Sequence, residues 1–107
     1  MSADVVALLR EEPDLAAALD ALALLAKLDG STTQVYDPAG RLVVSISEPV
    51  LVRVAGEVER LLGVAVPEPV WWVDVRAAGG LYDAQQLGRR LADELARRCG
   101  GTVWTAP

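Results

Sequence analysis

The sequence predicts a single domain of the α/β class, nearer to α+β than to a doubly wound fold, with helices packed on a four-stranded mixed sheet. Three observations predict it. From Val70 to Pro107 the chain reads as strand, loop, one-sided helix, double glycine and short strand. Residues 31–47 read as a β-hairpin turning at Asp37-Pro38-Ala39-Gly40. Residues 2–29 are rich in Leu and Ala at helical spacing. A chain of 107 residues supports one hydrophobic core but not two. The expectation is therefore a helical segment at 2–29 packing on a core at 31–107, in the order helix, helix, strand, strand, helix, strand, helix, strand.

Ser2 to Arg10 predicts a short helix, interrupted by Glu11, Glu12 and Pro13. Pro13 suits the first turn of a second helix, because its missing N–H has no partner there. From Asp14 to Leu28, residues Leu15, Leu19, Leu22, Leu25 or Ala26, and Leu28 keep helical spacing, and Asp29 with Gly30 closes the run. Asp20 and Lys27 are the only charges between Leu15 and Leu28, so this helix would be apolar nearly all round. Such a helix is either covered on several sides or offers a face to another subunit or partner.

Thr32 to Tyr36 is rich in β-formers, and Arg41 to Ser47 alternates with Leu42, Val44 and Ile46 inward. Between them, Asp, Pro and Gly stand at the first, second and fourth places of a tight turn. The next stretch is ambiguous. Val50, Leu51, Val52 and Val54 suit a strand, but Pro49 resembles a helix start, and Leu51, Val54, Val58, Leu61 and Leu62 keep helical spacing to Gly63. The helix is the expectation adopted. Residues 64–69, with Pro67 and Pro69, form an extended connector.

In the strand at 70–77, Trp71, Val73, Val75 and Ala77 share one face, while Val70, Trp72, Asp74 and Arg76 share the other. After Gly79 and Gly80, Asp83 is placed to cap a helix whose third residue is Gln86. Ala84, Leu87, Leu91, Leu95 and Cys99 then make its apolar stripe, and its outer face carries Arg90 with Glu94, Asp93 with Arg97 and Glu94 with Arg98. Gly100 stands where a left-handed cap is expected. With a return strand at 102–105, the segment at about 70–105 predicts a β-α-β unit with a right-handed parallel crossover.

The net charge is −5, and it is unevenly spread. Residues 1–30 hold six acids against two bases, residues 31–69 five against three, and residues 70–107 four against five. This balance disfavours nucleic acid and anionic membranes, whose phosphates need clustered Lys and Arg. It suits a basic protein partner, although it is also what keeps many domains soluble. Cys99, the single cysteine, falls on the apolar stripe and excludes an internal disulfide. Without a signal peptide or a long apolar run, a cytoplasmic protein is expected.

No His is present, which removes the usual neutral-pH base, the triad base and the commonest zinc ligand. The two glycines at 79–80 lack the third glycine and the lysine of a phosphate loop, so no cofactor is expected. The one polar constellation is Asp74 and Arg76 at a strand end with Tyr82 and Asp83 at the following helix start. It reads as a small ligand site or catalytic site, or as an ion pair beside a helix cap. Trp72 lies on the face of Asp74 and Arg76, and an uncovered Trp near Arg and Tyr has the composition of a binding hot spot. Asp20 belongs to the same candidate partner surface through the apolar segment 14–28.

The apolar strand ending in a polar residue, the helix LGRRLADELARRCGG and the closing strand TVWTAP resemble the C-terminal end of small acidic immunity proteins of bacterial polymorphic-toxin systems. The resemblance implies a cytoplasmic, non-catalytic protein that binds a toxin domain and occludes its active site, and the acidic first half leads to the expectation that this domain is basic. Two other expectations stand beside it: a homo-oligomeric accessory module of a secretion or phage-related assembly, dimerising through Asp14 to Leu28, and a small enzyme or ligand-binding domain built on Asp74 and Arg76.

Overall fold

The computed structural model describes residues 3–79 and 82–106. It is an α+β fold in which three helices pack on an antiparallel sheet of seven strands, where the sequence predicted four strands in a mixed sheet. The strands are β1 (Ala3–Leu9), β2 (Leu25–Asp29), β3 (Thr32–Tyr36), β4 (Leu42–Ile46), β5 (Val50–Val52), β6 (Val70–Ala77) and β7 (Gly101–Thr105). The helices are α1 (Leu15–Ala21), α2 (Glu57–Leu62) and α3 (Tyr82–Cys99). The spatial order is β2-β3-β4-β6-β1-β7, with β5 also paired to β6.

Four expectations are corrected, each for a physical reason. The predicted N-terminal helix, whose Ser2 lies outside the described residues, is the strand β1. Val5 to Leu9 form an unbroken apolar run, which is what a strand buried on both faces requires, and all five are buried. The predicted helix 14–28 divides. α1 starts at its N-cap Asp14, whose Oδ1 accepts the Ala17 N–H at 3.0 Å, so Pro13 precedes the cap rather than entering the first turn. It stops at Leu22, and Ala23 takes a positive φ of 55°. The remaining Leu25–Asp29 pairs as β2 with β3, because a two-residue turn at Gly30-Ser31 brings Asp29 opposite Thr32. The predicted helix after Pro49 begins late: Val50–Val52 is strand, and only Glu57–Leu62 is helical.

The fourth correction concerns the crossover. β6 and β7 do run in the same direction, joined by α3, but β1 lies between them and is antiparallel to both. The unit is a split β-α-β. An N-terminal strand inserted at the centre of a sheet leaves no mark on the sequence of the segment it separates.

Other expectations hold. Gly40 N–H donates to the Asp37 carbonyl at 2.9 Å, which closes the predicted turn, and the Arg41 N–H and Nε both bond the Asp37 carboxylate. Ala84, Leu91, Leu95 and Cys99 are buried along α3 with Leu87 half-buried beside them. Of the ion pairs predicted on the outer face, Glu94 with Arg98 forms, whereas Asp93 pairs with Arg89 in place of Arg97 and Glu94 pairs with Arg97 in place of Arg90. The predicted cap is corrected: Asp83 falls within the first turn of α3, because the helix starts one residue before it. The double glycine has two separate jobs. Gly100 takes φ 67°, and a Cβ at Gly101 would run into the Leu8 carbonyl oxygen.

The sheet buries both faces unequally. On one, Val5, Ala7, Leu9, Val35, Val44, Ile46, Val73, Val75 and Ala77 pack under α1 and α3. On the other, Val6, Leu8, Val70 and half-buried Trp72 and Trp104 pack with Val58 of α2, Val52 and Leu62. Glu68 supports this smaller layer by accepting the Val58 N–H at 3.4 Å, since Gly56 at the helix start has no side chain to do so.

Candidate functional site

β4 and β5 run in succession along the same edge of β6. Ile46 sits opposite Val75 and Val50 opposite Trp72, so three residues of one strand face two of the other. This is a β-bulge, which bends the strand and re-aims its side chains. Ser47 holds the interruption together: its N–H donates to the Asp74 carbonyl at 3.0 Å, and its Oγ accepts the Asp74 N–H at 3.1 Å. Glu48 and Pro49 are thereby pushed out of the ladder.

Their displacement builds one wall of a cleft of about 690 Å³ on the side of the sheet that carries α1. The opposite wall is the α1 entry, Glu12 to Leu15, and Trp71 completes the lining. The α1 entry is tied to the end of α3. The Glu11 N–H donates to the Cys99 carbonyl at 3.1 Å, and the Cys99 thiol points at the Glu12 carbonyl at 4.0 Å. Three carboxylates, Glu12, Asp14 and Glu48, line the cleft with a half-buried indole and two prolines, and no Lys or Arg is in the lining. Asp14 spends one oxygen on the α1 cap. Chemically the lining suits a cation with an apolar stem: carboxylates attract a positive charge, and an indole and prolines offer apolar cover for methylenes.

The residues singled out from sequence are distributed elsewhere. Asp74 and Arg76 lie on the face opposite α3, with Thr32, Ser45 and Ser47, around a polar recess of about 380 Å³. Tyr82 and Asp83 open α3 on the other face, so the sheet separates them from Asp74 and Arg76; the side chain of Tyr82 and the whole of Gly80 lie outside the described residues. Trp72 is half-buried in the layer under α2, covered by that helix and not by segment 14–28. Asp20 is exposed on α1. Glu12, Asp14, Glu48 and Trp71 carried no flag in the sequence, because Trp71 was assigned to the core and only a fold brings residues 12–14, 48 and 71 together. The acidic surplus of the first half was the available sign.

Two ion pairs shift ionisation at the surface. The Arg41 N–H and guanidinium lower the Asp37 pKa, and the Glu57–Arg60 pair lowers that of Glu57 and raises that of Arg60. Among the described residues, no group of His, Cys, Asp and Glu is placed to hold a metal, and no helix is long and apolar enough to cross a membrane. No protein-family model matches this chain, and no curated protein or solved structure matches it.

Proposed function

We propose that this chain is a non-catalytic protein-binding domain that receives a basic side chain of its partner in the Trp71 cleft, acting as an immunity-type inhibitor of a toxin domain. The observation that carries the reading is the cleft itself, with three carboxylates and an indole and no cation in its lining. An acidic first half supports it, because a surplus of carboxylates attracts a basic partner. An inhibitor of this kind works by occlusion, so it needs no general base and no histidine. An inserted Lys or Arg from the rim of the partner's active site would anchor the complex, and the surrounding surface would block access.

The test is co-expression with a basic toxin domain encoded beside it, read as growth protection, followed by titration of the purified pair. Protection and a complex that weakens as salt rises are expected. A Glu12→Gln, Glu48→Gln double variant should weaken binding roughly tenfold or more, as for loss of charge-assisted contacts. Trp71→Ala should do the same with less salt dependence. Protection that survives all three substitutions would sink the reading.

A further inference from the structure

The outer edge of β2 ends the sheet order, and all five residues of β2 are exposed. Leu25 and Leu28 are 69% and 75% exposed, the most open of the large apolar side chains among the described residues. At the opposite end of the sheet, β7 keeps Val103 and Trp104 half-buried against the two cores. The two ends therefore differ, and β2 offers water two exposed leucines on a five-residue strand beside an unpaired backbone, whereas the other open edge, β5, is three residues long and exposes Val50 alone.

The backbone direction of that edge follows from the turn. A two-residue connection makes Asp29 and Thr32 a hydrogen-bonded pair, so Lys27 and Leu25 also direct their N–H and C=O groups towards β3. The groups of Ala26 and Leu28 point outward. A second strand must bond to these two residues, and an antiparallel two-fold admits three registers. Centred on Lys27, it sets the two ammonium groups directly opposite one another, which is repulsive. Centred on Ala26, it sets Lys27 against Leu25. Centred on Leu28, it pairs Leu28 with its own copy and places each Lys27 opposite the Asp29 of the other strand, twice by symmetry. Lys27 makes no ion pair among the described residues, and Asp29 accepts only a long bond of 3.5 Å from Gln34 Nε2.

We infer that β2 is a homodimerisation edge, joining two copies of this chain into one continuous antiparallel sheet through a two-fold axis at Leu28. The occupant is a second copy because the segment Lys27-Leu28-Asp29 is complementary to itself: its one cation and its one anion exchange places under the two-fold. The Lys27 that would guard the edge against the other registers is satisfied in this one. The inference is independent of the Trp71 cleft, which lies at the α1 entry and contains no β2 residue.

The experiment is sedimentation velocity across a concentration series on the intact chain and two exposed-site variants, Lys27→Asp and Asp29→Lys. The wild type is expected to dimerise reversibly. Each variant alone puts two like-charge pairs at the interface and should raise the dissociation constant about tenfold or more. Mixed in equal amounts, they restore two opposite-charge pairs, and the heterodimer should return to within about threefold of the wild-type constant. Circular dichroism and the thermal midpoint of each variant confirm that it is folded. A wild type that stays monomeric at millimolar concentration overturns the inference, as does a mixture no tighter than its components. Because neither substitution touches the cleft, a failure here leaves partner binding at Trp71 intact, and the converse also holds.

Discussion

The two faces of the sheet are built to different standards. One is covered by α3, an 18-residue helix, together with α1, and β1, β3, β4 and β6 each contribute a fully buried side chain to it. The other is covered by α2, six residues long, whose Val58 packs with three buried side chains of the strands, and beyond them that face turns polar, running from Asp74 and Arg76 to Ser45, Gln34 and Thr32. A large apolar layer fixes the fold, while a small one fixes only the segment lying on it. The difference teaches where this molecule can tolerate change, and its largest test is a matched pair of truncations. Leu91→Ala, at a fully buried site under α3, should cost about 3 kcal/mol in denaturant unfolding through lost transfer energy and an unfilled cavity. Val58→Ala in α2 is as buried, but removes fewer atoms beneath a short helix able to settle, and should cost about 1–2 kcal/mol. Hydrogen exchange sharpens the contrast: α2 amides should exchange through local opening in both proteins, well before those of α3. Equal costs, or α2 protection equal to that of α3, would erase the distinction between the faces.

The same contrast explains what was legible in the sequence. The stripe of α3 was readable because helix periodicity repeats over five turns, and the alternation of β6 was readable because it assigns each residue to a face that is then differently covered. The Asp37–Gly40 turn was readable because its residues act locally. β1 was not, because a strand buried on both faces has no alternation and its apolar run also fits a helix. β2 was not, because Leu and Ala at mixed spacing satisfy a helical pattern, and the decision against it is made by Gly30 and by β3, which needs a partner. The cleft required all of this to be right at once. Residues 12–14, 48 and 71 meet only if β1 is a strand, β5 follows a bulge and α1 ends early. Local signals determine elements, whereas sites assembled from three separate segments depend on topology.

The bulge allows the comparison to be pressed at an intermediate scale, because it is the point where the polar half of the second face begins and where Glu48 is turned toward the cleft. Ser47→Ala removes the hydroxyl that accepts the Asp74 N–H while leaving the Ser47 N–H bond to the Asp74 carbonyl in place. The loss should be about 1 kcal/mol of stability, the net worth of one partly buried hydrogen bond. If the bulge positions Glu48, the same variant weakens partner binding beyond what its small stability loss accounts for. Restoring the hydroxyl with Ser47→Thr should recover both, and a variant with normal stability and normal binding would show that the backbone alone holds the bulge.

The smallest expected effect lies at the exposed end of the hairpin, far from either apolar layer. Asp37 accepts the Arg41 N–H at 2.8 Å and the Arg41 Nε at 2.7 Å, and these bonds, the backbone one first, pull its pKa below the ordinary value of 3.8. The folded-state pKa is therefore lower than the unfolded one. Ionised Asp37 stabilises the hairpin fully above the unfolded value, and that contribution is lost as pH falls from there through the folded value. Since the pair is at the surface, the contribution is modest and screened by salt. Asp37→Asn should lower the thermal midpoint slightly at neutral pH and flatten its decline in acid, with the two proteins converging below the folded-state value. A gap that persisted into strong acid would mean that the difference between Asp37 and Asn does not come from the carboxylate charge, and the ion pair would then carry none of it.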